Sequence, residues 1–264
     1  MINFLSFWVV TGSNTRVKKE KVARLMRGML RIFAVLGSGM LLAAAAYANS
    51  GNVSQLSGTL SVKKPDGSMR ILSQKSEIQS GDTLNTQKDS YAQIKFADGA
   101  QITLKPNTSV KIEAFNFVES EPQKDSFLYS LVKGGLRAVS GLVGKRGDAE
   151  AYKMETATAT IGIRGTSFGA DDCTGPSAGD GPCKGLEPAV YVSVTDGEII
   201  ATNGTGSVSF LAGQFGMMDS RERRPRFLST DPGLQFTPPA SFIASISGGS
   251  AVNQGKSLEC VVRR

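Results

Sequence analysis

An arginine between two glycines is the feature of this sequence that is best suited to bind a ligand or to hold the fold together through hydrogen bonds. Arg164 lies in the motif Gly162-Ile163-Arg164-Gly165-Thr166, directly after an alternating Thr/Ala run. A guanidinium offers five donors in a planar fork, so it can bind an anionic ligand or hold carbonyls and a carboxylate at a strand crossover. The flanking glycines favour the crossover, because glycine adopts backbone angles that arginine and isoleucine avoid.

The residue inventory argues against catalysis. The chain has no histidine, so it offers no serine–histidine or cysteine–histidine pair and no imidazole base. No carboxylate pair stands out as the pair of a glycosidase. Three isolated cysteines without histidine lack the spacing of a zinc site. The sequence therefore predicts a protein that is not an enzyme and that has no cofactor and no metal site.

The cysteines predict a disulfide. Cys173 and Cys183 flank a loop rich in glycine and proline, which is unable to order itself. In an oxidising compartment, a bridge between them would close a loop of about eleven residues and contribute roughly 2–3 kcal/mol. Cys260 would then be free or available for an intermolecular bond.

Residues 1–48 have the organisation of an export signal. A basic region is followed by an apolar run from Ile32 to Ala46, which ends in Ala46-Tyr47-Ala48. The run is shorter than the roughly 20 residues that span a bilayer, and the final tripeptide matches a signal-peptidase site. We expect cleavage after Ala48, membrane contact only during export, and a periplasmic or secreted mature protein. An uncleaved anchor is the alternative.

The net charge of +7 comes mainly from this segment. Residues 1–48 contain seven basic residues and one acidic residue, and removing them leaves 23 basic against 22 acidic residues. The mature chain is therefore nearly neutral, which argues against a nucleic-acid partner. Its one basic cluster, Arg221–Arg226, lacks interleaved aromatic residues for base stacking, and a solvated loop is the favoured interpretation over contact with an anionic surface.

The remaining chain alternates as short strands with glycine-centred turns, which predicts an all-β fold. Segments 91–96 and 100–105 form a predicted hairpin across Asp98-Gly99. Its expected core residues are Ala92, Ile94, Phe96, Ile102 and Leu104, and its expected solvent-facing residues are Gln93, Lys95, Gln101, Thr103 and Lys105.

Two further glycine positions predict strand breaks. Asp196-Gly197 is expected to be a turn between two strands, and Gly134-Gly135 is expected to separate two strands within residues 127–143. The predicted fold is an antiparallel β-sandwich or jelly roll, or else a short β-roll. The predicted domain spans residues 49–239. Residues 240–264 form a loosely ordered tail with a possible last short strand.

An ordered series of motifs resembles the FecR family, whose members are domains of the bacterial cell envelope. The series includes Gly81-Asp82-Thr83, Gly134-Gly135-Leu136-Arg137 and the Arg164 motif. The resemblance implies that Gly134, Gly135, Arg137, Gly162, Arg164, Gly165 and Thr166 serve the fold or contact a partner.

The resemblance also implies a function. It suggests an exported binding or sensing module whose partner is another envelope protein or a cell-wall glycan. Family members that control sigma factors carry a sizeable cytoplasmic domain before a membrane span, whereas only a short segment precedes the apolar run here. A membrane-anchored anti-sigma regulator is therefore the alternative.

We predict that the natively expressed protein begins at Asn49, because cleavage after Ala48 removes the basic and apolar segments. Intact-mass spectrometry of the protein from its own host measures this directly. A full-length species that remains with the membrane fraction would instead establish the anchored form.

Overall fold

The computed structural model describes residues 51–146, 148, 150–175, 181–234, 238 and 242, and these residues confirm the all-β prediction. The predicted export signal, nearly all of the predicted tail and Cys260 lie outside them. The strands are β1 Gly51–Ser57, β2 Leu60–Lys63, β3 Met69–Leu72, β4 Glu77–Ile78, β5 Thr83–Thr86, β6 Tyr91–Phe96, β7 Gln101–Leu104, β8 Ser109–Asn116, β9 Ser126–Val139, β10 Tyr152–Glu155, β11 Thr160–Asp172, β12 Val190–Asn203, β13 Gly206–Leu211, β14 Phe215–Met218 and β15 Arg226–Leu228.

The predicted hairpin forms between β6 and β7. Gly99 has a φ of 87°, and the Asp98 carboxylate accepts a hydrogen bond from the Ala100 amide at 2.9 Å. All five expected core side chains are buried. Two of the five expected solvent-facing residues, Thr103 and Lys105, are buried instead, and the prediction for them was wrong. The Thr103 hydroxyl accepts a hydrogen bond from Gln93, and Lys105 is held by an ion pair described below.

Both predicted strand breaks are wrong, because the glycines lie within continuous strands. β12 runs through Gly197 with a φ of 75°, and β9 runs through Gly134 with a φ of 81°. Each glycine produces an irregularity rather than a turn, since a positive φ bends a strand without ending its pairing.

All strands of the described residues belong to one sheet, in which β9 is the central strand. The first half of β9 pairs with β8 and β10, and its second half pairs with β7 and β11. Every pairing is antiparallel except that of β9 with β10. Because β9, β10 and β11 each pair with the other two, the sheet must curl on itself rather than lie flat.

The curled sheet encloses a core centred on aromatic residues. The Phe127 ring stacks on Tyr152 at 4.9 Å between centroids and contacts Phe96 at 4.5 Å and Tyr129 at 5.1 Å. Phe127, Tyr129 and Tyr152 are fully buried. Aromatic pairs of this kind contribute about 0.5–1.5 kcal/mol beyond the area that they bury.

Gly134 is the point at which β9 changes partners. The segment just before β8 approaches β9 closely at this point. A Cβ atom on Gly134 would lie 2.7 Å from Thr108 Cα and 2.9 Å from the Asn107 carbonyl oxygen. The Thr108 hydroxyl accepts a hydrogen bond from the Gly135 amide at 3.0 Å and donates one to the Gly135 carbonyl at 2.9 Å. The close approach therefore ties the corner between β7 and β8 to the middle of β9.

We predict that Gly134→Ala lowers the free energy of unfolding by at least about 2 kcal/mol, because the methyl group meets backbone atoms and φ is positive. Gly162→Ala is the matched control in a neighbouring strand. Its nearest atom is the Ile200 carbonyl oxygen at 3.8 Å, so the change should be neutral or slightly stabilising. Urea unfolding followed by circular dichroism measures both, and equal losses would contradict the steric explanation.

Candidate functional site

The predicted signature residues fall at two places in the sheet. Gly162, Arg164, Gly165 and Thr166 lie at a bend in β11, where the register with β12 shifts. Gly134, Gly135 and Arg137 lie in the second half of β9, beside the end of β11. The first place is a structural crossover, and the second borders a cleft.

The bend in β11 is held by Thr166. Its buried hydroxyl lies 2.6 Å from the Glu198 carbonyl and 2.9 Å from the Arg164 carbonyl, and its amide donates to Ser140 Oγ at 2.8 Å. A Cβ atom on Gly197 would lie 2.5 Å from the Gly165 carbonyl oxygen, so glycine is required where the two bent strands cross.

Arg164 does not hold this crossover. Its side chain is exposed, and it makes no hydrogen bond or ion pair with any residue that the structure describes. The locking role expected for Arg164 therefore belongs to Thr166 and Ser140, and the guanidinium faces solvent.

A cleft of about 480 Å³ lies over the second half of β9 and the adjoining parts of β11, β12 and β14. Its floor and sheet wall include Lys105, Arg137, Gly169 and Asp171. The opposite wall comes from the segment Asp231–Leu234, which passes over the sheet after β15. Clefts of 300–1,000 Å³ are typical of small-ligand sites, so this is the candidate functional site.

A buried ion pair forms the floor of the cleft. Lys105 Nζ lies 2.7 and 2.8 Å from the two carboxylate oxygens of Asp171, and it also donates to the Leu234 carbonyl at 2.8 Å. Both side chains are at least nine-tenths buried. Burial raises the pKa of the Asp171 carboxyl, and the Lys105 ammonium offsets part of that rise.

The buried ion pair explains why residue 135 is a glycine. A Cβ atom there would collide with the Asp171 carboxylate and lie 2.9 Å from Lys105 Cδ, so only glycine leaves room for the ion pair. Sequence reasoning missed the pair, because Lys105 and Asp171 are 66 residues apart and Lys105 fits the alternation of an exposed position.

Arg137 stands beside this floor with most of its hydrogen-bonding capacity unused. Its side chain is exposed, and one nitrogen donates weakly to Ser167 Oγ at 3.3 Å. The register places Arg137 opposite Gly169, and Gly169 opposite Ser193 on β12. Arg137 is thus the signature residue that faces the cleft.

The predicted disulfide forms and supports one end of the cleft. The Cα atoms of Cys173 and Cys183 are 5.4 Å apart across the bridge. The cystine packs in a small apolar cluster with Tyr191 and Leu234, which both line the cleft. The bridge therefore joins the residue after β11 to Cys183, next to two residues that line the cleft.

Comparison with known proteins identifies the domain. Residues 82–199 match the family model described as FecR protein, and this range contains β5 to β11 and most of β12. This region, which is somewhat less than half of the chain, is a FecR domain by that match. The predicted resemblance is confirmed, and the floor of the cleft with Arg137 lies inside the match, whereas Phe215 and the wall at 231–234 lie outside it.

Similar solved structures include two of a putative anti-sigma factor from Parabacteroides distasonis, with 14% and 13% identity and TM-scores of 0.41 and 0.40. Each covers 57% of this chain, and the match spans 60% of the length of the solved chain. A cell surface anchoring domain matches with 25% identity and a TM-score of 0.23, over 24% of this chain and 83% of that one. No curated protein matches the chain significantly.

The basic cluster next to the FecR domain has structural partners. The Arg221 guanidinium donates to the carbonyls of Thr156 and Ala157 at 3.1 and 3.0 Å, and Arg223 and Arg226 both pair with Asp219. Among the residues with described positions, no group of acidic, cysteine or histidine side chains is arranged to hold a metal ion. Within the same residues, no helix is long and apolar enough to cross a bilayer.

We predict that Lys105→Met and Asp171→Asn each lower the free energy of unfolding by about 3–5 kcal/mol, because each leaves a buried group without its partner. The double variant should lose less than the sum of the two. Lys124→Met is the control, since its ion pair with Glu121 is exposed and should contribute about 0–1 kcal/mol. Chemical unfolding of the four variants gives the coupling energy, and additive losses would show that the pair contributes nothing as a pair.

Proposed function

We propose that this protein is an exported, non-enzymatic binding or sensing module of the cell envelope, built on its FecR domain. The family match supports a regulatory domain rather than an enzyme. The cleft beside Arg137 supplies the place where a partner or ligand would bind.

The observation that carries this proposal is the state of the ionisable groups in the cleft. Lys105 Nζ has three donors, and all three are directed at protein acceptors. Both oxygens of Asp171 accept from the same ammonium. A general acid or base must reach the proton that it transfers, and these groups are turned to each other and buried. The remaining polar side chains of the lining are those of Arg137, Asp231 and hydroxyl residues such as Ser193, and they are suited to binding.

Two features support location outside the cytoplasm. The disulfide between Cys173 and Cys183 is of a kind that persists in oxidising compartments such as the periplasm. The sequence of residues 1–48 has the basic, apolar and Ala-x-Ala regions of an export signal. We propose a periplasmic or secreted mature protein whose partner is an envelope protein or a cell-wall glycan, without nucleic-acid contact.

The second candidate is a membrane-anchored anti-sigma or transmembrane signalling regulator, which the family match favours. In that protein the apolar run Ile32–Ala46 would stay in the membrane, and the residues before it would contact a cytoplasmic partner. The two candidates therefore differ in where the partner binds.

We predict that a photo-crosslinking amino acid in place of Phe215, in the cleft wall, captures an envelope component in living cells. The same amino acid in place of Met69 is the control, because Met69 is 67% exposed on the edge strand β3 and does not line the cleft. A third position, Phe7, reports on the segment before the apolar run. Mass spectrometry identifies what each position captures.

Capture at Phe215 alone would support the proposed module. Capture of a sigma factor at Phe7 would overturn it in favour of the anchored regulator. Equal capture of the same components at Phe215 and Met69 would show that the cleft has no special role in binding.

A further inference from the structure

The guanidinium of Arg137 is the strongest unused binding group in the cleft. Of its five donors, one makes a long contact of 3.3 Å to Ser167 Oγ, and it forms no ion pair within the described residues. The neighbouring charges of Lys105 and Asp171 cancel each other. Arg137 is therefore the one charge on the sheet side that the ion pair leaves unbalanced, and its planar fork matches a carboxylate. The other charged residue of the lining, Asp231, lies on the opposite wall and has an interaction of its own.

Gly169 opens a gap between this guanidinium and a hydroxyl. Arg137, Gly169 and Ser193 are directly opposite one another on three neighbouring strands, so the Arg137 and Ser193 backbones are about 10 Å apart. Gly169 has no side chain, and a Cβ atom there would lie 2.9 Å from Ser193 Oγ. A bound group can thus contact Arg137 and Ser193 at once across the bare backbone of β11.

The far side of the gap is aromatic. Phe215 lies opposite Ser193 on β14 and is half-buried in the cleft lining, and Tyr191 is held by a hydrogen bond from its hydroxyl to the Glu187 carbonyl at 2.8 Å. The order across the sheet is therefore cation, gap, hydroxyl and ring. This order suits a ligand that carries an anionic group at one end and a hydroxylated scaffold with an apolar face at the other.

The pairing of the strands disfavours an extended peptide in this place. Over the cleft, β9 is paired with β7 and β11, and β11 is paired with β9 and β12. Their backbone donors and acceptors are already used, so a peptide strand cannot be added to the sheet here. Recognition must come from side chains, and those on the sheet side are a guanidinium, hydroxyls and aromatic rings, whereas the opposite wall adds the Asp231 carboxylate.

We propose that the cleft binds a sugar acid, whose carboxylate pairs with Arg137, whose ring hydroxyls contact Ser193, and whose apolar face packs on Phe215. The inference rests on the proposed binding function and names the ligand class of that site. The volume of about 480 Å³ holds a ligand of one or two sugar residues. The sugar acid is either a free molecule or the end of an acidic polymer, and the chemistry at Arg137 is the same in both.

The test is titration calorimetry of the mature chain, residues 49–264, with D-glucuronate, D-glucose and acetate as probes. D-glucuronate should bind with a Kd on the order of 1 mM or tighter. D-glucose and acetate should each bind at least about 10-fold more weakly, because each lacks one half of the recognised group. Tetragalacturonate and its monomer D-galacturonate distinguish the sources: clearly tighter binding of the tetramer indicates a polymer end, and equal binding of the two indicates a free sugar acid.

Variants assign the contacts. Arg137→Gln should weaken D-glucuronate binding about 10- to 100-fold and leave the weak binding of D-glucose unchanged, since only the charged hydrogen bonds are lost. Ser193→Ala should weaken binding about 2- to 10-fold. Arg164→Gln is the matched control, because Arg164 is an exposed arginine of the same domain that does not line the cleft, and it should have no effect. Circular dichroism verifies that each variant is folded.

Absence of D-glucuronate binding, equal binding of D-glucuronate and D-glucose, or equal losses in Arg137→Gln and Arg164→Gln would each overturn the sugar-acid assignment. This failure is separable from failure of the proposed function. If the crosslinker at Phe215 captures an envelope protein and D-glucuronate does not compete, the module binds a protein through the cleft. If D-glucuronate binds and competes, the sugar-acid site stands.

Discussion

The buried ion pair between Lys105 and Asp171 is the interaction on which the rest of the site depends. Lys105 follows β7, Asp171 lies near the end of β11, and the third acceptor of the ammonium is the carbonyl of Leu234, beyond β15. One side chain therefore joins the centre of the sheet to the segment that forms the opposite wall of the cleft. The hydrogen bond from Lys105 to the Leu234 carbonyl therefore helps to hold this wall over the sheet.

Burying two charges has a penalty that constrains the surrounding sequence. A desolvated ammonium and carboxylate are tolerated only when their geometry is good and their other hydrogen-bonding positions are satisfied. Here the positions are satisfied by direct bidentate contact and by the Leu234 carbonyl, and the space is provided by Gly135. The two glycines of the pair are thus needed for different reasons. Gly134 leaves room for the backbone at Thr108, and Gly135 leaves room for the ion pair.

Local features of the fold could be predicted from the sequence. The hairpin at Asp98-Gly99, its buried face and the bridge between Cys173 and Cys183 depend on residues close in the chain, whose turn chemistry and alternation are visible directly. The features that failed depend on contacts between distant segments. Gly197 resembles a hairpin turn in isolation, and only its approach to the Gly165 carbonyl shows that it is a bend within one long strand.

The candidate site could be predicted in part, for the same reason. The resemblance to the FecR family singled out Arg137 and Arg164 equally, because both lie in glycine-containing motifs of the family series. Their different roles follow from what lies across the sheet: Arg137 faces Gly169 and a cleft, and Arg164 faces solvent at a bend locked by Thr166. Lys105 was expected to face water, and this prediction failed for the same reason. Alternation shows on which face of the sheet a residue lies, but it does not show that a later segment of the chain covers that face.

The division of the cleft between two parts of the chain has a consequence for specificity. The floor and Arg137 lie within the residues that match the FecR family, whereas Phe215 and the wall at 231–234 lie outside that match. If the cleft binds an anionic group as proposed, Arg137 and the fully paired sheet would supply the affinity for that group. The shape and chemistry of the walls would then add to the discrimination that Ser193 provides. On that proposal, the segments after β12 would decide which molecule fits above the sheet in this chain.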